Sequence, residues 1–152
     1  RKTGMYELEA YIKENFTINS EQSIAIFLEM VRPLCDISQP QNIRKAGFLC
    51  FTALSRLLRQ VKDLNLNVLH SLIKSIISYF RDNDVKIVLS AAECLYNIMK
   101  YYQDEILTFF DDIFQGFFLI VVNQEPEVRA IMKTLDSFLK EIVNFKFQAN
   151  QL

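Results

Sequence analysis

Apolar residues recur with the period of an α-helix along almost the whole chain, and this pattern most constrains the fold. Two of the helix faces consist of Leu69, Leu72, Ile73, Ile76, Ile77 and Phe80, and of Val128, Met132, Leu135, Leu139 and Ile142. Three glycines and three prolines in 152 residues leave few points at which such helices would be interrupted. The chain is therefore predicted to be all-α.

Turn residues divide this pattern into about seven predicted helices with short connections. They lie near 1–15, 20–36, 41–62, 66–81, 84–102, 104–123 and 125–146. The apolar run 117–122 is as short as a buried strand, but helical spacing on both sides favours a helix. Asp84 and Asp104 stand at or near helix starts, where a carboxylate accepts hydrogen bonds from first-turn amides. Ser38 or Asn42 is a candidate cap for the third helix.

An internal repeat distinguishes a solenoid from a bundle. Ile43-Arg44 and Val128-Arg129 both place a β-branched residue and an arginine at a helix start, and Arg1 heads the first helix. Arg44 and Arg129 are separated by two steps of about 42 residues, with Lys86 near the midpoint, which is the period of HEAT and armadillo repeats. We therefore expect residues 1–152 to form one HEAT-type solenoid of antiparallel helix pairs, with a leading half-repeat and three repeats. Arg44, Lys86 and Arg129 would be structural residues between repeats.

The sequence contains no arrangement that predicts catalysis, a cofactor or a metal site. The only histidine, His70, has no evident partner for metal binding, and no glycine-rich phosphate loop or zinc spacing occurs. Asp111 and Asp112 are adjacent in a predicted helix and so point in different directions. The three cysteines are widely spaced, which indicates buried free thiols. A net charge of −1 gives no general attraction to nucleic acid or membranes.

Charge is distributed unevenly along the chain. Helix 41–62 carries five basic residues and no acid, namely Arg44, Lys45, Arg56, Arg59 and Lys62, whereas segment 103–127 carries six acids and no base. Solvated helix faces and partner-binding patches both remain open as explanations. The candidate protein-interaction residues are Arg56, Arg59, Asn97 and Lys100, because three are cationic and an amide in an otherwise apolar stretch needs a partner.

Two sequence blocks resemble a known family of HEAT-repeat proteins. Residues 92–100 resemble its ACE-x-LYNI-x-K signature, and residues 135–143 fit its LD-x-x-L-K-[DE]-IV pattern. The family is the vacuole-morphology scaffold, also called the associated regulator of PIKfyve, and the resemblance covers nearly the whole chain, close to the family's N-terminus. The chain departs from the family at Val88, which stands where the family usually has an arginine. The repeat period alone instead assigns this basic position to Lys86.

The resemblance implies a non-catalytic scaffold of the endosomal complex that makes phosphatidylinositol 3,5-bisphosphate. Its partners would be a FYVE-type phosphoinositide kinase and a Sac-type lipid phosphatase, with self-association through a C-terminal region absent here. The protein would be cytoplasmic and peripheral on endosomal or vacuolar membranes through the complex, without inserting into them. The alternative is another HEAT-repeat adaptor, in nuclear transport or vesicle trafficking.

Overall fold

The structure, a computed structural model, describes residues 2–16, 18, 20–61 and 63–150. Arg1 and Lys62, which the sequence analysis placed at a helix start and a helix end, lie outside these residues. The helices are α1 (Lys2–Asn15), α2 (Glu21–Val31), α3 (Gln41–Leu57), α4 (Leu66–Ser78), α5 (Val85–Tyr101), α6 (Gln103–Ile106), α7 (Phe110–Val121) and α8 (Pro126–Asn150). The described residues form no strand, so the all-α prediction is confirmed.

Tight 3₁₀ turns shorten several of the predicted helices. The predicted helix 20–36 ends as α2 at Val31 and continues as a 3₁₀ turn, Arg32–Cys35, because Pro33 has no N–H to continue the α-helical bonding. A second turn, Leu107–Phe109, divides the predicted helix 104–123 into α6 and α7. Residues 117–122 are helical as far as Val121, which confirms the prediction of a helix there.

Helix starts follow the capping chemistry in part. The Asp84 carboxylate accepts a 3.0 Å hydrogen bond from the Lys86 amide and caps α5, as predicted. The prediction for α3 was wrong, since Pro40 precedes this helix without a side-chain cap. Asn42 lies inside α3, and Ser38 instead donates from its amide and hydroxyl to Asp36.

The chain divides into two compact units, Arg1–Leu72 and Ile73–Leu152. In the first unit, α3 packs on both α1 and α2 and on the turn Arg32–Cys35. The turn approaches α3 closely at Gly47, where a Cβ atom would lie 2.9 Å from Leu34 Cβ. The core of this unit includes Ile12, Ile24, Phe27, Phe51, Leu54 and Leu57.

In the second unit, α5 and α7 both pack on α8 and on the 3₁₀ turn Tyr79–Arg81 that follows α4. Its core includes Ile87, Leu95, Ile98, Ile113, Ile120 and Leu135. The Tyr96 ring of α5 lies 5.1 Å from the Phe138 ring of α8. The short helix α6 and α7 together correspond to one predicted helix. Counted in this way, α5 packs on the second helix after it, α8, just as α1 packs on α3 in the first unit. Such packing is typical of stacked helical repeats.

Candidate protein-binding surface

A buried carboxylate joins α1 to α3 in the first unit. Glu9 of α1 is 6% exposed and forms an ion pair with Arg56 of α3. Arg59, one turn further along the chain, places Nη2 3.6 Å from the other Glu9 oxygen. A buried carboxylate is stable only when a cation or hydrogen-bond donors compensate its lost hydration. Arg56 and Arg59 therefore fix the position of α1 on α3, in addition to any role at the surface.

The same cluster reaches the solvent through an aromatic ring. Tyr6 is exposed, and the Arg56 guanidinium carbon lies 5.1 Å from the centre of its ring, within cation–π range. Partial burial acts to lower the pKa of Arg56, but the Glu9 carboxylate and contacts with Tyr6 outweigh it and raise the pKa. Arg59 remains exposed and donates to the Arg56 carbonyl over 2.7 Å. The cluster thus presents a ring and a fixed positive charge together.

The other two candidate residues are on α5, in the second unit. Lys100 is exposed, and its Nζ lies 5.9 Å from the centre of the Tyr101 ring. Asn97 is half-buried and makes at least one interaction of its own. Burial, together with the nearby Glu105 carboxylate, raises the pKa of Tyr102 to about 12, so that phenol stays neutral at physiological pH. The end of α5 therefore presents one positive charge, on Lys100, beside the Tyr101 ring, whereas Tyr102 is buried.

The three residues proposed as inter-repeat contacts have different environments. Arg44 is buried and donates from Nε to the Cys35 carbonyl over 3.3 Å, which ties α3 to the end of the preceding 3₁₀ turn. Lys86 of α5 and Arg129 of α8 are both exposed. Val88, where the resemblance led us to expect an arginine, is fully buried in the core of the second unit.

Two features of the surface were missed by the sequence analysis. Glu9 was not identified because nothing in the sequence separates it from the other glutamates of α1, and only the packing of α1 on α3 buries it. The exposure of the aromatic flank of α7, which we define as Phe110, Phe114, Phe118 and Val121, was not predicted, because these residues have the helical spacing that core residues also have. In the structure Phe114, Phe118 and Val121 are 45%, 60% and 55% exposed.

The described residues show little that would support chemistry. In the ranges that the structure describes, no group of three His, Cys, Asp or Glu side chains could hold a metal ion. Cys35 and Cys94 are buried free thiols, as predicted, and Cys50 is half-buried. Burial raises the pKa of Cys35 to about 11, so its reactive thiolate form is suppressed.

Comparison with known proteins decides the family. A family model described as the Vacuolar 14 Fab1-binding region matches residues 42–141, about two-thirds of the chain. The chain belongs to this family. Every interaction and inter-repeat residue proposed from the sequence, from Arg44 to Arg129, lies within the matched segment, whereas Tyr6 and Glu9 precede it.

Curated relatives agree with the Vacuolar 14 assignment. The chain is 27% identical over 143 residues to the Protein VAC14 homolog of Arabidopsis thaliana. It is 28% identical over 144 residues to the Vacuole morphology and inheritance protein 14 of Saccharomyces cerevisiae. Each match covers 94% of this chain but only 19% and 16% of the respective relative, so the chain spans less than a fifth of their length. No solved structure matches the chain.

The described residues contain no candidate for a membrane-spanning helix. Within those ranges, none of the helices combines the length and apolar content that a bilayer crossing requires.

Proposed function

We propose that this chain is a non-catalytic scaffold segment that binds a Fab1-type, FYVE-containing phosphoinositide kinase. The single observation that carries the proposal is the family match over residues 42–141, whose description names a Fab1-binding region. The proposal extends to the whole protein, which would also hold a Sac-type lipid phosphatase in the complex that makes phosphatidylinositol 3,5-bisphosphate. Self-association would use a region outside this chain.

The physical contribution of such a scaffold is effective concentration. Two enzymes held on one frame meet as if in the same molecule, which raises the frequency of their encounter without any new contact between them. The frame must hold a defined shape. Stacked helices supply this stiffness through continuous apolar cores, such as that between α5, α7 and α8 in the second unit. We propose further that residues 1–152 form a single repeat array.

The proposed kinase contacts are the cationic residues that remain accessible on the matched segment. Arg59 and Lys100 are exposed. Arg56 pairs with Glu9, which also lies beside Arg59, and so helps to hold Arg59 in place. Asn97, half-buried one turn before Lys100, would take part through its amide. Arg59 and Lys100 belong to different compact units, so each is proposed as a separate contact point. Both would meet acidic or carbonyl-rich surfaces of the partner.

The proposed location follows from the proposed partners. The protein would be cytoplasmic and peripheral on endosomal or vacuolar membranes, held there by the kinase complex rather than by its own insertion. No enzymatic activity is proposed, because the sequence contains no motif that predicts catalysis.

The test is affinity purification of the full-length protein from its own cells, followed by mass spectrometry. Recovery of a FYVE-type phosphoinositide kinase together with a Sac-type phosphatase is the expected result. Recovery of nuclear-transport cargo or vesicle-coat subunits instead would refute the proposal and favour the general adaptor function.

Charge reversal then tests the proposed contacts. Arg59→Glu and Lys100→Glu should each reduce kinase recovery. Lys140→Glu is the matched control, since Lys140 is an exposed lysine of α8 whose only described ion pair is with Asp136, one turn earlier. If all three variants recover the kinase equally, Arg59 and Lys100 are not contact residues.

A further inference from the structure

An open cleft lies between two connections of the second unit. One side is segment 80–85, which leads from the end of α4 into α5, and the other is segment 118–125, which leads from the end of α7 to α8. The volume of the cleft is about 510 Å³, within the range of ligand-binding sites. Because the cleft is open to solvent rather than enclosed, it suits a polypeptide segment better than a small molecule.

Apolar side chains form the floor of this cleft. Phe80 is buried and Leu119 is half-buried, whereas Phe118 and Val122 are 60% and 75% exposed. Phe118 and Val122 are four residues apart at the end of α7, so their side chains are neighbours on one face of the helix. Exposed apolar surface with a polar rim marks a site at which a partner excludes water.

A smaller cleft continues the first one along α7. Its volume is about 230 Å³, and it shares Arg81 and Leu119 with the larger cleft, so we define the two together as the α7 groove. Lys74 and Arg81 line the smaller cleft together with one half-buried acid, Asp112. Both cations are exposed, and within the described ranges neither forms an ion pair. This end of the α7 groove is therefore basic.

The opposite end of the α7 groove is acidic. The groove follows α7 from Asp112 in the first turn to Val122 after the last, and continues to Glu125, which is exposed. Asp82 is half-buried and also lines the larger cleft, where its Oδ1 accepts a 2.9 Å hydrogen bond from the Asp84 amide. From its beginning to its end, the groove thus has a basic part, an apolar middle and an acidic part.

We infer that the α7 groove binds a linear segment of the proposed kinase that carries an acidic residue, large apolar residues and a basic residue in the order of the groove. The acidic residue contacts Lys74 and Arg81, the apolar residues cover Phe118 and Val122, and the basic residue contacts Glu125. This inference rests on the proposed kinase binding, and it adds the surface and the chemistry of the bound segment.

The position of the α7 groove favours the kinase as its occupant. All of its lining residues lie between 74 and 125, inside segment 42–141, which matches the family described as a Fab1-binding region. The order of charge makes the site selective, because a segment with the same charge at both ends meets repulsion at one end of the groove. Both walls come from elements of this chain that pack on each other, namely α7 and the turn Tyr79–Arg81. The groove is therefore formed without any further helix.

Photo-crosslinking in the full-length protein identifies the occupant of the α7 groove. p-Benzoylphenylalanine replaces Phe118, and in a second variant Val122, in the purified complex with the FYVE-type kinase of the same organism. Phe145 is the matched control position, because it is a 70% exposed phenylalanine of α8 that does not line the groove. Irradiation followed by mass spectrometry maps the crosslinked peptides.

Positions 118 and 122 should both crosslink to one kinase segment that contains an acid, large apolar residues and a base, and position 145 should not crosslink to it. Crosslinks from positions 118 and 122 to the protein's own chain alone would overturn the inference. A crosslinked kinase segment without this order of charges would overturn it as well.

Affinity for the kinase, measured by biolayer interferometry with the full-length protein, tests the apolar middle and the charged ends separately. Val122→Asp should weaken binding about tenfold or more, whereas Val121→Asp, outside the groove, should change it by less than about twofold. Arg81→Glu and Glu125→Lys should each weaken binding about threefold or more, and Lys86→Glu, an exposed cation outside the groove, is the control for charge reversal. Circular dichroism verifies that each variant keeps its helical content.

The affinities also separate the groove from the proposed kinase binding. Weaker binding by the three groove variants, with both controls unchanged, supports the inference. If the parent protein binds the kinase and the groove variants bind as tightly as the parent, or are weakened no more than the controls, the inference is overturned and the proposed kinase binding stands. If the parent protein does not bind the kinase, both are overturned.

Discussion

Gly47→Ala should destabilise the chain although alanine is the better helix former. Gly47 lies inside α3, where replacing glycine with alanine normally adds about 1 kcal/mol of stability. The added methyl would meet Leu34 Cβ at 2.9 Å, Cys35 Sγ at 3.0 Å and the Leu34 carbonyl carbon at 3.1 Å. Two of these atoms belong to the backbone or are fixed to it, so no rotamer change can relieve the contact.

Overpacking of this kind costs about 1–3 kcal/mol, and more when the backbone must move. Because two of the contacted atoms are held by the backbone, the cost should lie at about 2–3 kcal/mol, and after the gain of about 1 kcal/mol in helix propensity the expected net loss is about 1–2 kcal/mol in the free energy of unfolding. For a chain of this size that corresponds to a fall of about 3–6 °C in Tm. The assay is urea unfolding followed by circular dichroism, with thermal unfolding as a second measurement.

The other two glycines are internal controls for Gly47→Ala. A Cβ atom added to Gly4 in α1 would have no neighbour within 4 Å, so Gly4→Ala should stabilise by about 0.5–1 kcal/mol. The three atoms nearest to a Cβ added at Gly116 all belong to the Ile77 side chain, at 3.0–3.2 Å, and a shift of this side chain would relieve the contact, so Gly116→Ala should stay within about 0.5 kcal/mol of the parent. If Gly47→Ala stabilises the chain as much as Gly4→Ala, the close packing of α3 on the turn Arg32–Cys35 is refuted.

Three further predictions follow from the buried groups. Arg56→Ala leaves the Glu9 carboxylate buried with only the more distant Arg59 contact, so the free energy of unfolding should fall by about 1–3 kcal/mol. In a double-mutant cycle, adding Glu9→Gln should restore part of this loss, whereas strictly additive effects would contradict an ion pair between Arg56 and Glu9. Burial raises the pKa of Cys35 from 9.0 to about 11, so the thiol's contribution to stability is complete below pH 9 and is lost as the pH rises toward 11. The urea midpoint should therefore fall between pH 9 and 11, and it should fall less steeply in Cys35→Ala. Identical slopes in the two proteins would argue against burial as the cause. Val88→Arg places a cation at a fully buried position and should lower the free energy of unfolding by about 3 kcal/mol or more. Replacing the exposed Lys86 by alanine should change it by less than about 0.5 kcal/mol. The reverse order would show that the basic residue of this repeat belongs at position 88 rather than 86.

The helices could be predicted from the sequence because their apolar period is local information. Asp84 at the start of α5 could be predicted for the same reason, since capping depends on residues two or three positions apart. The 3₁₀ turn Leu107–Phe109 could not, because its residues keep the spacing of a continuous helix. At α3, Ser38 donates from its amide and hydroxyl to Asp36, and Pro40 takes the cap position without a side-chain hydrogen bond.

The candidate surface was predictable only in part. Arg56 was selected as a cation, but its ion pair with Glu9 depends on the packing of α1 on α3 and joins residues 47 positions apart in sequence. The exposure of the aromatic flank of α7 could not be predicted from the sequence either. Its phenylalanines follow the helical period as core residues do, and only the position of the neighbouring helix decides which apolar face is covered.

We have proposed that this chain binds the kinase without acting as an enzyme. The most direct measurement is size-exclusion chromatography of the purified full-length protein with the FYVE-type phosphoinositide kinase of the same organism, repeated with Arg59→Glu and Lys100→Glu. The account predicts that the parent protein co-elutes with the kinase at concentrations of about 1–10 μM and that the variants do so less completely. Separate elution of the parent protein and the kinase throughout that range would contradict the account.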